Sequence, residues 1–212
     1  MHYKIIPVTP FQQNCTLFWC DKTQHAAIID PGGDTQQVVS QLDALDLIPE
    51  CILLTHGHLD HAGGANELAQ RLSLPIVGPH RDDAYLLDNM QQQTAMFGFG
   101  EGTNCIPDQW LDQGDEITIG EERLEVFHCP GHTPGHIIFF HRATQIAQVG
   151  DVLFNGSIGR TDFPRGDYAT LIQSIRGRLW PLGNEVRFIP GHGPESTFAE
   201  ERRSNPFVCD GC

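Results

Sequence analysis

Residues Thr55 to Gly64 read THGHLDHAGG, so His56, His58, Asp60 and His61 place four groups able to ligate a metal within six residues. Imidazoles and a carboxylate crowded this closely repel and desolvate one another unless a cation compensates them. Neutral imidazole and carboxylate are also the donor set of zinc, iron and manganese. The apolar run Cys51-Ile52-Leu53-Leu54 stands directly before the cluster and reads as a short buried strand. The ligands therefore sit at the mouth of a strand.

Three further segments follow the same scheme of strand end, tight turn and ligand-capable residue. His132 lies within HCPGHTPGH at 128–136, Asp151 follows Gly150 after the run Ile146–Val149, and His192 follows Gly191 after the run Val186–Ile189. Strands deliver side chains with precision, and glycine lets backbone approach a metal closely. The separations, 71 residues from His61 to His132, 19 to Asp151 and 41 to His192, exclude a local zinc knuckle. Such a site has to be assembled by the tertiary fold.

The elements that would do this are legible as alternating strands and helices. Strands are predicted at Tyr3–Val8, Cys15–Cys20, Ala26–Asp30, Cys51–Leu54 and Leu74–Val77, with helices at Thr35–Leu47, Ala65–Leu72 and Arg81–Gln93. Phe97–Gln109, with three glycines and Pro107, reads as a loop. The second half repeats the order. Strands are expected at Glu116–Ile119, Arg123–Phe127, Ile137–His141, Ile146–Val149 and Val186–Ile189, and helices at Asp167–Leu179 and Glu195–Arg203. Two sheets packed face to face and covered outside by helices accommodate this order.

Composition narrows the function. The chain has 212 residues, 40% hydrophobic, enough for one sizeable core. Thirteen basic against 27 acidic side chains give a formal charge of −14, which argues against non-specific binding to nucleic acid or an anionic membrane. No opening apolar h-region and no membrane-length run is present, so a soluble cytoplasmic protein is expected. Seven cysteines at irregular spacing do not form a secreted disulfide framework, and the terminal pair Cys209 and Cys212 reads as an ordinary tail.

His56-x-His58-x-Asp60-His61, then His132, Asp151 and His192, with the Asp30-Pro31-Gly32-Gly33 turn, resemble the ligand pattern of the metallo-β-lactamase superfamily over residues 30 to 192. The resemblance implies an α/β (α+β) four-layer αββα sandwich, residues 1–212 forming a single domain. It implies one or two divalent ions, zinc foremost, with iron or manganese also suited. His56, His58 and His132 would hold one ion and Asp60, His61 and His192 the other, with Asp151 bridging. Within the superfamily, exported β-lactamases of the best-known subclass carry Cys where Asp151 stands. Flavo-diiron proteins carry Glu in place of His58. RNA-processing members carry basic surfaces and large insertions. Gly159-Arg160-Thr161-Asp162-Phe163 is most similar to short bacterial glyoxalase II-like proteins, and also to persulfide dioxygenases. About 20 residues follow His192, so no counterpart is expected of the C-terminal helical domain with which long glyoxalase II enzymes contact glutathione.

The function implied is hydrolysis of a thioester such as S-lactoylglutathione to D-lactate and glutathione by a metal-held hydroxide, a step of methylglyoxal detoxification. Asp60 would ligate and orient that hydroxide. A thiolate, with a pKa near about 8.5, departs without a dedicated general acid. Arg160 is the candidate to steer a substrate carboxylate, with an ion pair to Asp162 as its alternative; Arg165 and Lys4 are weaker candidates. Phe163 reads as core more readily than as a substrate wall, and Asp30 as either a ligand-positioning group or a plain turn residue. His128 and His136 read as structural hydrogen-bonding groups. The rival reading is a mononuclear Fe(II) persulfide dioxygenase using His56, His132 and Asp151. A non-catalytic metal-binding protein and a hydrolase of lactones or phosphodiesters rank lower. The partner expected is a small molecule, neither nucleic acid nor membrane.

Overall fold

The structure, a computed structural model, describes residues 1–98 and 103–211. In chain order it runs β1 (His2–Val8), β2 (Gln13–Trp19), β3 (His25–Ile29), α1 (Thr35–Ala44), β4 (Ile48–Leu53), α2 (Leu59–Ala62), α3 (Ala65–Leu72), β5 (Ile76–Val77), α4 (Ala84–Leu87) and α5 (Met90–Phe97). The second half runs β6 (Glu116–Ile119), β7 (Glu122–His128), β8 (Ile137–His141), β9 (Ile146–Gly150), β10 (Leu153–Phe154), β11 (Ser157–Ile158), α6 (Tyr168–Ser174), β12 (Arg187–Pro190), β13 (Ser196–Thr197) and α7 (Phe198–Ser204).

The strands form two main sheets, β1-β2-β3-β4-β5 and β13-β12-β9-β8-β7-β6. Their central strands read as unbroken apolar runs because both faces are covered. Along β2, β3 and β4, Leu17, Ile28 and Ile52 point to a core shared with Val38, Leu42 and Leu68 of α1 and α3. Their neighbours Phe18, Ile29 and Leu53 point the other way, onto Val126, Phe139 and Ile189 of the second sheet. On that sheet's far side Ile138, Phe140, Ala147 and Phe188 meet Leu171 of α6 and Phe198 of α7. Period-two alternation between three apolar layers is what makes the αββα sandwich.

The ligand segments leave the carboxyl ends of β4, β9 and β12 and the loop between β7 and β8. The two sheets are tied together at that edge. The Asn14 amide donates to the Gly191 carbonyl at 2.7 Å, and the Ile137 amide to the Thr55 carbonyl at 2.8 Å.

Several elements differ from expectation. The helix expected over Arg81–Gln93 is a 3-10 turn at Arg81–Asp83 followed by α4 and α5. Between the last two, the Asn89 side chain donates to the Tyr85 carbonyl at 2.7 Å, the local competition by which Asn interrupts helices. Phe97 belongs to α5 rather than to a loop, and residues 99–102 of that expected loop lie outside the described residues. The helix at Asp167–Leu179 is α6 plus one π turn, Ile175–Leu179, and the closing helix starts at Phe198 after β13. The β10–β11 hairpin, turned by Asn155-Gly156, was not expected, although Asn-Gly is a strong hairpin signal. Cys212 of the terminal Cys pair is outside the described residues. Among the described residues no helix is long and apolar enough to cross a membrane.

Candidate metal centre

His56 sits three residues beyond the end of β4, where Asp30 fixes the backbone. The Asp30 carboxylate accepts from the Thr55 amide at 2.7 Å, from the Thr55 hydroxyl at 2.6 Å, and from His61 Nδ1 at 3.0 Å. Asp30 is fully buried and holds a left-handed φ of 51°, a conformation that costs energy and marks a position determined by its surroundings. It is thus a ligand-positioning group rather than a plain turn residue. Gly32 makes room for the next turn, since a Cβ there would lie 1.5 Å from the Asp60 carbonyl oxygen.

The imidazole tautomers follow from their outer partners. His56 Nδ1 lies 3.0 Å from the Thr55 hydroxyl, whose hydrogen is given to Asp30. His132 Nδ1 lies 2.7 Å from the Arg160 carbonyl, and His192 Nδ1 3.2 Å from the Phe11 carbonyl. Each of these outer groups can only accept, as does Asp30 at His61, so Nδ1 carries the proton in all four rings. The Nε2 lone pairs then face inward, the arrangement that outer hydrogen bonds impose on metal-ligating histidines.

Two clusters result. In the first, His58 Nδ1 stands 3.0 Å from His56 Nε2 and 3.0 Å from His132 Nε2. In the second, Asp60 Oδ2 lies 3.1 Å from His192 Nε2 and 3.9 Å from His61 Nε2. Asp151 stands between them, Oδ1 3.3 Å from His61 Nε2 and Oδ2 3.6 Å from His132 Nε2. Each cluster brings its ligand atoms within 4.8 Å of one another. The structure thus brings all seven sequence-derived candidates to one place.

The donor set fits a divalent ion. His61 Nε2 and Asp151 Oδ1 are buried without a hydrogen-bond partner although they face each other. Three imidazole nitrogens converge in the first cluster, where a single proton cannot satisfy them all. Burial and the surrounding rings drive the pKa of His56 far down and that of His58 to about 3, so both are neutral donors. Burial opposes charge on His61 as well, but Asp151 and Asp60 hold its pKa well above the ordinary value. Burial raises and the facing His61 lowers the Asp151 carboxyl, and the lowering wins. The carboxylates that favour positive charge on His61 favour a cation in the same place. The residues fit one or two metal ions.

Other candidates lie as follows. Arg160 pairs bidentately with Asp162, at 2.9 and 2.7 Å, and lies 4.5 Å from the Phe163 ring centroid. Phe163 is half-buried, with ring centroids 5.1 Å from His58 and 6.1 Å from His132. It therefore lines the site, correcting the expectation of a core residue. Arg165 lies over the Tyr85 ring, and Lys4 is exposed on β1. His136 accepts the Asp151 amide at Nε2, 3.0 Å away, and His128 Nε2 donates to the Pro134 carbonyl at 2.8 Å, both in hydrogen-bonding roles.

Sequence reasoning missed Asp83 and Asn14. The Asp83 carboxylate accepts from the Gly57 amide at 3.0 Å, the Thr133 hydroxyl at 2.7 Å and the Gly135 amide at 2.6 Å, joining two ligand loops. Asn14 Nδ2 donates to the carbonyls of Pro190 and Gly193 at 3.0 and 2.9 Å, bracing the His192 turn. Asn14 has a usable signal, standing with Gln13 as a polar pair at the start of a strand that ends on the apolar run Leu17–Trp19. Asp83 had none, since RDDA reads like any acidic surface turn.

The sequence profile of the Metallo-beta-lactamase superfamily matches residues 8–192. A Haemophilus influenzae protein named Hydroxyacylglutathione hydrolase GloC is 47% identical over 98% of both chains. Among solved structures, the BLEG-1 B3 metallo-beta-lactamase superposes with a TM-score of 0.90 at 35% identity, covering 98% of this chain and 99% of that one. TTHA1623, solved in a di-iron-bound form, superposes with a TM-score of 0.88 at 34% identity, covering 97% of this chain and 100% of that one. The chain belongs to the metallo-beta-lactamase superfamily and is a metallo-hydrolase.

Proposed function

We propose that the chain hydrolyses hydroxyacylglutathione thioesters, with S-lactoylglutathione as the reference substrate, giving D-lactate and glutathione in the cytoplasm. The observation that carries this reading is the full-length 47% identity to a relative named for that activity. His56, His58 and His132 would hold one divalent ion and Asp60, His61 and His192 a second, with Asp151 shared. Zinc is the ion proposed, and the same ligands suit iron and manganese. When bound, such ions polarise a carbonyl and make water a nucleophile near neutral pH.

The chain's own groups do the rest. Asp60, partly exposed where Asp151 is buried, is the carboxylate that meets incoming water and orients it. Phe163 supplies an apolar wall beside His58 and His132 and limits water on that side. The expelled thiolate has a pKa near about 8.5 and leaves without a proton donor. Arg160 is proposed to meet a substrate carboxylate. Its pair with Asp162 lies in open solvent, where such pairs contribute little and exchange readily.

The test is the initial rate of S-lactoylglutathione loss by metal-replete protein beside Asp60→Asn. The expected outcome is turnover in the ordinary enzyme range, reduced about 100-fold or more in the variant. Absence of turnover, with one iron per chain and oxygen uptake on glutathione persulfide, would replace this reading with the dioxygenase.

A further inference from the structure

A second group of ligand-capable side chains lies outside the central site. His80 follows β5 in the first sheet, His128 ends β7 in the second, and Asp82 is the middle residue of the 3-10 turn before α4. One ligand atom from each of the three lies within 4.8 Å of the others. The two imidazoles are stacked, with centroids 4.2 Å apart and planes 17° from parallel.

Their hydrogen bonds define which nitrogen is available. His128 Nε2 donates to the Pro134 carbonyl at 2.8 Å, which leaves the lone pair on Nδ1. His80 Nδ1 accepts from the Asp82 amide at 3.2 Å, so its proton is on Nε2, 3.0 Å from Asp112 Oδ1. Each ring therefore gives its N–H to a carbonyl or a carboxylate and keeps Nδ1 as a donor of electrons, the outer support that metal-ligating histidines have. Asp82 Oδ2 is 3.4 Å from His80 Nδ1. Ligands about 2.0–2.1 Å from a tetrahedral zinc ion lie about 3.3–3.4 Å apart, so this edge already has the right length. Coordination would replace the long bond from the Asp82 amide, and it requires one of the two stacked rings to turn out of the stack so that both lone pairs point at the ion.

We propose that His80, Asp82 and His128 form an auxiliary zinc-class metal site, with Asp112 orienting His80 and water completing the shell. The site stands behind the loop that carries His132, where the His80 amide donates to the Gly135 carbonyl at 3.1 Å. An ion there would staple the two sheets beside the central site without touching its ligands. The side chain of His80 is 19% exposed and that of Asp82 58%, so an ion can enter from solvent.

The test is a zinc count by elemental analysis after dialysis of the full chain against buffered micromolar free zinc, with a calorimetric zinc titration of the same protein. Wild type should hold one equivalent more than His80→Ala or His128→Ala, and its titration should contain a weaker phase that both variants lack. Asp82→Asn alters only an exposed side chain and should weaken that phase about tenfold or more without altering the fold; it decides the matter if His128→Ala fails to fold. Equal zinc counts and identical titrations in wild type, His80→Ala and Asp82→Asn would overturn the proposal. An extra equivalent that survives in all of them would do so too, by placing the ion elsewhere.

Discussion

Asp30 shows how one side chain can align both halves of the metal centre. Its carboxylate holds His61 directly and His56 through the Thr55 hydroxyl, so one ligand of each cluster depends on it. In Asp30→Ala the His61 N–H and the Thr55 amide lose a buried acceptor. Unsatisfied buried donors cost about 1–3 kcal/mol each, so a stability loss of roughly 2–4 kcal/mol is expected in urea unfolding. Removal of such an outer partner lowers metal affinity about 10–100-fold, measurable by competition with a chelating dye. Asp30→Asn keeps one acceptor oxygen and should recover part of both. If Asn and Ala behaved alike, the carboxylate would not be aligning the ligands. The glycine at 191 works at the same scale by having no side chain. A Cβ there would lie 2.0 Å from Asp151 Oδ1 and 2.6 Å from His61 Cε1. Gly191→Ala should therefore cost one metal equivalent with little change in far-UV circular dichroism; retention of full metal content would mean the turn yields instead.

Between elements, Asp83 is the principal tie, joining the loop after β4 to the loop before β8. Burial pushes its carboxyl up to about 6 from an ordinary 3.8, against the pull of its three donors. A carboxyl with a raised folded pKa binds its proton more tightly when folded. The stability that proton confers is present below about pH 4 and is lost as pH rises through about 6. The full span is roughly 3 kcal/mol at most. In chelator-treated protein, the stability of wild type relative to Asp83→Asn should fall between pH 4 and 6.5, and parallel curves would show that the carboxyl titrates normally. Legibility differs sharply at this scale. The central strands of both sheets are readable because they are buried on two faces, so apolar runs such as Ile137–Phe140 survive in sequence, and the outer strand β1 is readable from its alternation. The ligand turns were readable because glycine and histidine stand together at strand ends. Asp83 and the break at Asn89 were not, because their partners lie far along the chain or depend on one side-chain rotamer. Phe163 differs from its expected core position for the same reason, since nothing local distinguishes a ring against imidazoles from a ring in a core.

At the scale of the whole molecule, a formal charge of −14 surrounds a site proposed to take an anionic substrate. Glutathione thioesters carry net negative charge near neutral pH, and the long-range field of the protein opposes their approach. Bound divalent ions offset that field only locally. The Debye length falls from about 30 Å at 0.01 M salt to about 8 Å at 0.15 M, so added salt screens the repulsion while leaving contacts inside the site nearly unchanged. For S-lactoylglutathione, kcat/KM should rise severalfold over that range, carried mainly by KM. A thioester of an uncharged thiol should show no such rise, which separates screening from any effect of salt on the enzyme itself. A kcat/KM that falls with salt for the glutathione thioester alone would mean that local cations outweigh the global charge. Arg160→Ala would then be expected to abolish the fall, because its guanidinium is the one proposed to meet the substrate carboxylate.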